Sequence, residues 1–449
     1  MKMAREGRLR RVHRREWPEF LNRVVPAWVW QQFWRQVGQE QDPQVRWTAK
    51  YVVLCWIVMG WSIQGCLTER FREGRELLSR LFAGRRLPGR CYQGLVKATQ
   101  RRGMELFGQF WSCLRETLAR RVGRLWTWHG WVVMAVDGSR IDTPRSRANE
   151  SGLGRAGRAK TQPQWWLTWV VHLPSRLIWD WRVGPGQSSE RSHCRQMMRD
   201  LPRATLLVAD IGFGGFDFLS DLNHAGISFL IRCASNTTLL VDTTRQQVER
   251  VGQHWHVYLW PSKRRSERPL RLRLIVLKRS GRRVYLLTNV MESERLSRPL
   301  ASQFYAARWG VEVGYRSLKQ TLDRRKVLAR TPEAGAMELA GGVLALALLM
   351  LQGAVAMGTR VGALSVASAL RVIRQAFERL RFGDRDDRFV AHLRLAVQDG
   401  YTRRRSKRAR DWPHKKNEPP PQPAKLRRPT SYENTRIGVF YNGKTLAPS

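Results

Sequence analysis

The sequence predicts a mixed α/β protein: a central mixed sheet carrying a β-strand insertion, preceded by a helical N-terminal region and followed by C-terminal helices. Three observations predict it. Apolar residues recur at helical spacing from residue 17 to 125, short apolar runs of strand length take over from 131, and helical spacing returns after about 291. With 449 residues, 43% of them hydrophobic and 20 of them tryptophan, the chain has material for two or three domains and a sizeable core.

The helical N-terminal domain is placed at residues 1–128. WPEFLNRVVPAWVWQQFWRQV, VRWTAKYVVLCWIVMGW, LTERFREGRELLSRLF and CYQGLVKATQRRGMELFGQFWSCLRETLARRV each show helical spacing, with breaks at Pro43, Gly65 and Leu87-Pro88-Gly89. The core domain is placed at 129–333. WVVMAVDGS (131–139) is an apolar run suited to a strand buried on both faces, and it ends at Asp137-Gly138. WWLTWVVHL and RLIWDWRV follow as strands joined at Pro174-Ser175, then helix SSERSHCRQMMRDL, strand ATLLVAD ending at Asp210, helix FDFLSDLNHA and strand ISFLIRC. From about 236 to 291 there are only strand-like pieces (TTLLVDTT, HWHVYLW, LRLRLIVLK, RRVYLLTNV), with Ser280-Gly281 as a hairpin turn, which reads as a β insertion. Helices at roughly 334–357 and 362–381 form a C-terminal helical region, 334–400. The tail, 401–449, opens on RRRSKRARDWPHKKNEPPPQPAKLRRP, basic and proline-rich, and is expected to be disordered, with electrostatic contact to nucleic acid as its alternative role. There is no internal repeat.

Eighty Lys plus Arg against thirty-six Asp plus Glu leave a formal net charge of +44, a self-repulsion that favours a polyanionic partner. Nucleic acid is the first candidate and an anionic membrane surface the second. Six cysteines are scattered without any CxxC pair, and the first sixteen residues are basic rather than secretory, so a cytoplasmic location is expected. LAGGVLALALLMLQGAVAM (339–357) is long enough to cross a bilayer, but it stands alone and is rich in Ala and Gly, so it is read as a buried or interface helix.

Several motifs carry little. GLGRAG (152–157) matches GxGxxG, but polar text precedes it and no helix follows in register, so a flexible basic loop is expected there. His254 and His256 have no carboxylate or cysteine at zinc spacing and are read as exposed strand histidines. There is no GxSxG and no nucleophilic cysteine context. Asp137 and Asp210 are different. Each ends an apolar run, and adjacent strands would bring the two carboxylates together, although a turn-capping role suits each one singly.

FYAARWGVEVGYRSLKQ (304–320) places one acid among bases. At about 100° per residue, Tyr305, Arg308, Glu312 and Lys319 fall within an arc of roughly 60°, and Arg316 joins that face. A solvated face with opportunistic ion pairs is one reading; a metal-binding glutamate flanked by phosphate-binding residues is the other.

Tyr-x2-Arg-x3-Glu-x6-Lys, here Tyr305, Arg308, Glu312 and Lys319, resembles the YREK signature of insertion-sequence-four-type DDE transposases. Asp137 in AVDGS and Asp210 in LLVADIGF resemble the first and second catalytic aspartates of that family, 73 positions apart, with 102 positions and the β insertion between Asp210 and Glu312. The resemblance covers roughly 130–325. It implies a ribonuclease-H-like core and a two-metal phosphoryl transfer, with Asp137, Asp210 and Glu312 holding two Mg2+ (or Mn2+) ions and no covalent protein intermediate. It also implies that Arg308 and Lys319 contact phosphates near the cleaved end, with Tyr305 packing or hydrogen-bonding beside them in the same DNA-binding set; Arg316, on the same helical face, is added as a DNA contact. Excision through a hairpin with a flipped base stacked on an insertion aromatic is a family route, for which Trp255, Tyr258 and Trp260 are candidates, although strand tryptophans are more often core.

The resulting expectation is a DNA transposase that cuts and joins insertion-sequence ends, acting on double-stranded terminal repeats and target DNA. It would work as a homodimer, prokaryotic and nucleoid-associated, without a membrane. The N-terminal helices would bind the terminal repeats and the C-terminal helices would support dimer assembly. The alternative is a transposase-derived DNA-binding protein that has lost its chemistry.

Overall fold

The computed structural model describes residues 27–38, 44–81, 87–156, 162–242, 254–279, 282–382, 388–398 and 424–442. Four helices come first: α1 (Ala27–Val37), α2 (Ala49–Trp61), α3 (Leu67–Leu81) and α4 (Tyr92–Arg121). Strand β1 (Val132–Asp142), the short helix α5 (Arg147–Leu153) and strands β2 (Gln164–His172) and β3 (Leu177–Pro185) follow. Next come α6 (Glu190–Met198), β4 (Thr205–Ala209), α7 (Phe216–His224) and β5 (Ser228–Arg232). The insertion supplies β6 (Thr238–Val241), β7 (His254–Leu259), β8 (Leu270–Arg279) and β9 (Arg282–Thr288). Helices α8 (Arg298–Ala307), α9 (Trp309–Arg316), α10 (Pro332–Met357), α11 (Val366–Phe382) and α12 (Phe389–Arg394) precede strand β10 (Lys425–Arg427) and helix α13 (Ser431–Asn442). The mixed α/β class with a strand insertion and helices toward both ends is the class the sequence predicts.

Helix starts follow local chemistry. Thr48, Ser146, Ser297 and Thr331 each cap a helix by accepting a backbone N–H three residues on, from Tyr51, Asn149, Leu300 and Ala334. Proline falls in the first turn of α8 and of α10, where its missing N–H costs no helical bond. The capped α5 is a correction: the loop expected around GLGRAG begins with a helix, because Ser146 caps it and Asn149 is buried against the Pro144 and Ala329 carbonyls. Residues 157–161 of that loop, the Pro43 break, the Ser280-Gly281 turn and the basic N-terminal stretch lie outside the described residues.

The chain divides into two compact units. One comprises residues 1–127, 138–189 and 310–399, and the other comprises 128–137, 190–309 and 400–449. The N-terminal helices thus share a unit with the β2–β3 hairpin and with α10 and α11.

In the first unit, α2 is buried from Tyr51 to Trp61 and packs on α10. Such all-round apolarity suits an internal helix, and small residues let the two backbones meet. A Cβ on Gly341 would sit 2.7 Å from the Trp56 carbonyl oxygen, and one on Gly60 would sit 2.5 Å from the Ala345 methyl. Trp61 Nε1 donates to the Ala345 carbonyl at 2.8 Å. The carbonyls at the end of α2 are met by Arg324, whose guanidinium donates to Met59 and Gly60 at 2.8 and 3.0 Å. Arg324 is almost wholly buried, and that burial, with Arg70 nearby, lowers its pKa to about 10. Glu338 on α10 is also buried. It accepts from the Leu328 and Ala329 backbones and from Arg70 Nη1 at 3.2 Å, while burial pushes its carboxyl pKa up. The segment that resembled a bilayer span is therefore a core helix. Its apolar surface is largely taken up inside the unit, the buried alternative of the two the sequence offered for it.

In the second unit the strand order is β10-β6-β7-β8-β9-β5-β4-β1. β1, β4 and β5 run parallel, β9 joins β5 antiparallel, and β6 to β9 are antiparallel throughout. Three expectations are corrected here. His256 is 7% exposed rather than solvated, because the β7 face that carries it is covered. Of the candidate stacking aromatics, only Trp255 is open, at 39%, since Tyr258 and Trp260 are buried with Leu240 and Ile437. The tail is ordered over 424–442: β10 pairs in parallel with β6, and α13 packs Ile437, Phe440 and Tyr441 into that cluster. Apolar residues beyond the proline-rich stretch have a specific partner; residues 401–423 lie outside the described residues.

Candidate active site

Asp137 and Asp210 are set side by side by strand register. β1 and β4 pair from Val132↔Thr205 to Ala135↔Val208, so continuing two residues places Asp137 beside Asp210. β4 and β5 pair up to Ala209↔Ile231, which places Arg232 beside Asp210 on its other side. Parallel neighbours lie about 4.8 Å apart with in-register side chains on one face, so the row Asp137, Asp210, Arg232 presents two carboxylates and a guanidinium together. Buried apolar residues fill β1 and β4 ahead of the acids, and both aspartates stand half-buried at the end of those runs.

Tyr305, on α8, completes this group. Its phenol donates to Asp210 Oδ1 at 3.0 Å, and Arg232 Nη1 approaches the same oxygen at 3.7 Å. Both contacts fall on Oδ1. Burial, then the Asp210 carboxylate, pushes the Tyr305 pKa up to about 12, so the phenol is a dependable donor. The Arg308 guanidinium lies 5.6 Å from the centre of the Tyr305 ring.

Glu312 and Lys319 belong to the first unit. The single helix expected over 304–320 is interrupted: α8 ends at Ala307, α9 starts at Trp309, and residues Ser317–Thr321 form a π turn closed by Leu322 N donating to the Ser317 carbonyl at 3.0 Å. The ideal helical projection therefore does not hold through Lys319, because the wider turn advances each residue through a smaller angle. α9 is pinned to β2 by packing. The Tyr315 ring stacks on Trp169 at 3.9 Å, its hydroxyl donates to the Leu167 carbonyl at 2.9 Å, and Gly314 keeps clear of Trp169, which a Cβ would meet at 3.2 Å. Glu312 is half-buried on the helix so fixed. Lys319, on the π turn, donates through Nζ to Ser139 Oγ at 2.7 Å. Ser139 is two residues beyond Asp137 in β1, and strand alternation turns those two side chains to one face. Arg316 is exposed.

Asp137, Asp210 and Tyr305 are thus gathered within the second unit, and Glu312 and Lys319 are held in the first. Carboxylate oxygens are the donors that magnesium and manganese take, so the aspartate pair suits such an ion in kind. Among the described residues no group of three His, Cys, Asp or Glu side chains is placed to hold a metal.

Residues 128–348 match the family described as Transposase DDE domain. This match, with the relative that follows, supports a DDE transposase of the insertion-sequence-four type. It is 24% identical over 320 residues to the transposase InsG for insertion sequence element IS4 of Escherichia coli (strain K12), spanning 66% of this chain and 69% of that one. A piggyBac transposase synaptic complex with hairpin DNA, solved by cryo-electron microscopy, aligns with 86% of this chain and 84% of its own at 9% identity and a TM-score of 0.39.

The segment matching the family contains both aspartates and the whole Tyr-Arg-Glu-Lys series. Two polar partners in the same segment were not singled out in the sequence. Arg232 closes the apolar run ISFLIRC as Asp210 closes ATLLVAD, and that parallel would have flagged it. Ser139, in VDGS, is betrayed only by alternation with Asp137.

Proposed function

We propose that this chain is a DNA transposase that cleaves insertion-sequence ends and transfers the strands to target DNA. What supports the reading is the parallel β1–β4 register, which continued by two residues brings Asp137 level with Asp210, and the Tyr305 hydrogen bond to Asp210, inside a segment that matches the transposase family. Asp137, Asp210 and, from the family pattern, Glu312 would hold two Mg2+ or Mn2+ ions. When bound, these ions supply the activation of the attacking oxygen and the stabilisation of the leaving one.

The chain's own residues do the rest. Tyr305 and Arg232 fix the Asp210 carboxylate by one oxygen, and the other would be the one offered to a metal ion. Ser139 holds the Lys319 ammonium, which would meet a phosphate oxygen. Arg308, ordered against the Tyr305 ring, offers a second phosphate contact, and exposed Arg316 a third. Trp255, the one open candidate on the insertion, is the stacking surface if excision passes through a flipped base. The N-terminal helices would bind the terminal repeats, two copies would act together as a homodimer, and the setting would be the prokaryotic cytoplasm, where the DNA is.

The test incubates purified protein with magnesium and a DNA fragment carrying the inverted repeats that flank its gene. Strand cleavage that disappears in Glu312→Ala is expected. Absence of cleavage by the parent protein, or undiminished cleavage by the variant, overturns the reading.

A further inference from the structure

We propose that the C-terminal segment 424–442 and the strand insertion form one folded surface that grips the phosphate backbone of duplex DNA. The choice of DNA rests on the transposase reading; the surface itself rests on the following contacts. β10 extends the insertion sheet through Lys425↔Thr238 and Arg427↔Leu240, and Ile437, Phe440 and Tyr441 close the cluster of Leu240, Tyr258 and Trp260. The joint is locked by Glu433, which is nearly buried. Its carboxylate pairs with Arg265 of the insertion and with Arg427 at 2.6 Å. Glu433 also caps its own helix reciprocally, taking the Thr430 N–H at 2.9 Å while its own N–H donates to Thr430 Oγ1 at 3.2 Å.

This arrangement uses up the acids and leaves the bases. Asp217 and Glu267 are both paired with Arg264, and buried Asp242 with Arg271. Among the described residues Lys263, Arg268, Lys425, Arg428 and Arg436 are paired with no carboxylate. Three guanidiniums are stacked on rings of the shared cluster: Arg265 on Trp260 at 4.6 Å, Arg268 on Tyr441 at 4.3 Å and Arg436 on Phe440 at 5.5 Å. A guanidinium ordered on an aromatic face loses less freedom when its edge takes a phosphate. Arg268 and Arg436 depend on rings that the C-terminal helix itself contributes, so helix and insertion make the surface jointly.

The experiment uses the full chain in a Glu312→Gln background, so that binding is read without turnover. The triple variant Arg268→Gln, Lys425→Gln, Arg428→Gln removes three exposed charges and leaves the apolar cluster intact, which an unchanged thermal midpoint verifies. Dissociation constants for a duplex carrying the terminal repeats are measured across a salt series. Each lost phosphate contact lowers the slope of log K against log salt by about 0.9, so the triple variant is expected to flatten it by roughly 2 to 3 and to weaken binding at low salt. A slope and affinity equal to the parent overturn the proposal. The outcome is separable from cleavage: a protein that never cuts DNA can still show the flattened slope, and one that cuts can fail to show it.

Discussion

Replacing Tyr305 by phenylalanine removes one hydroxyl and leaves the ring that packs beside Arg308. In the structure that hydroxyl makes the 3.0 Å hydrogen bond to Asp210 Oδ1, and the second contact to that oxygen, from Arg232, is looser at 3.7 Å. Hydrogen bonds to charged groups contribute about 1.5–3 kcal/mol. The Asp210 side chain is 36% exposed, so water replaces part of the loss and the lower end applies. A deficit of about 1.4 kcal/mol in holding Asp210 corresponds to roughly tenfold in rate. The assay is single-turnover cleavage of an end-labelled duplex with magnesium, alongside DNA affinity measured separately. Tyr305→Phe is expected to cut about tenfold more slowly while binding DNA as the parent does. A rate within twofold of the parent, or a defect confined to DNA affinity, refutes the positioning argument.

Two further predictions concern the scaffold. Gly341→Ala drives a methyl to 2.7 Å from the Trp56 carbonyl oxygen, a backbone atom with little freedom to move, so a loss of about 1–3 kcal/mol and a lower thermal midpoint are expected; an unchanged midpoint means the helices do not meet there. His172 is buried, bonded to Ser175 Oγ at 2.7 Å and to the Trp126 carbonyl at 3.0 Å, and burial lowers its pKa to about 4. A folded pKa below the unfolded one means stability is present above about 6.5 and is lost as pH falls toward 4, by up to about 3 kcal/mol. Denaturant titrations from pH 7 to pH 4 should therefore show a flatter pH dependence for His172→Gln than for the parent, and parallel curves would exclude His172 as the cause.

Much of the fold was legible because its signals are local. The apolar run that ends at Asp137, the helical spacing from about 334 and the strand-like pieces from Thr237 onward each depend on neighbours in sequence. The misjudged parts depend on distant partners. Residues 424–442 look polar and loose by composition, yet Ile437, Phe440 and Tyr441 find Tyr258 and Trp260 some 180 positions earlier. His256 lies in β7, where Val257, Tyr258 and Leu259 on both faces are buried too, and nothing local reveals that both faces are covered there. The interruption at Arg308 and the π turn after Arg316 were hidden because helical spacing survives a short break.

The sequence by itself determined the chemistry on offer: two aspartates closing apolar runs, the Tyr-Arg-Glu-Lys spacing, and a charge that calls for a polyanion. Those properties are set by residue identity and separation, which the chain carries in any conformation. Tertiary structure decided the register that aligns Asp210 and Arg232, the grip of Tyr305 on one carboxylate oxygen, the partner that α10 packs against, and the docking of the C-terminal helix. Each of these is a choice among partners remote in sequence, made by packing and hydrogen-bond satisfaction, and no local pattern records it.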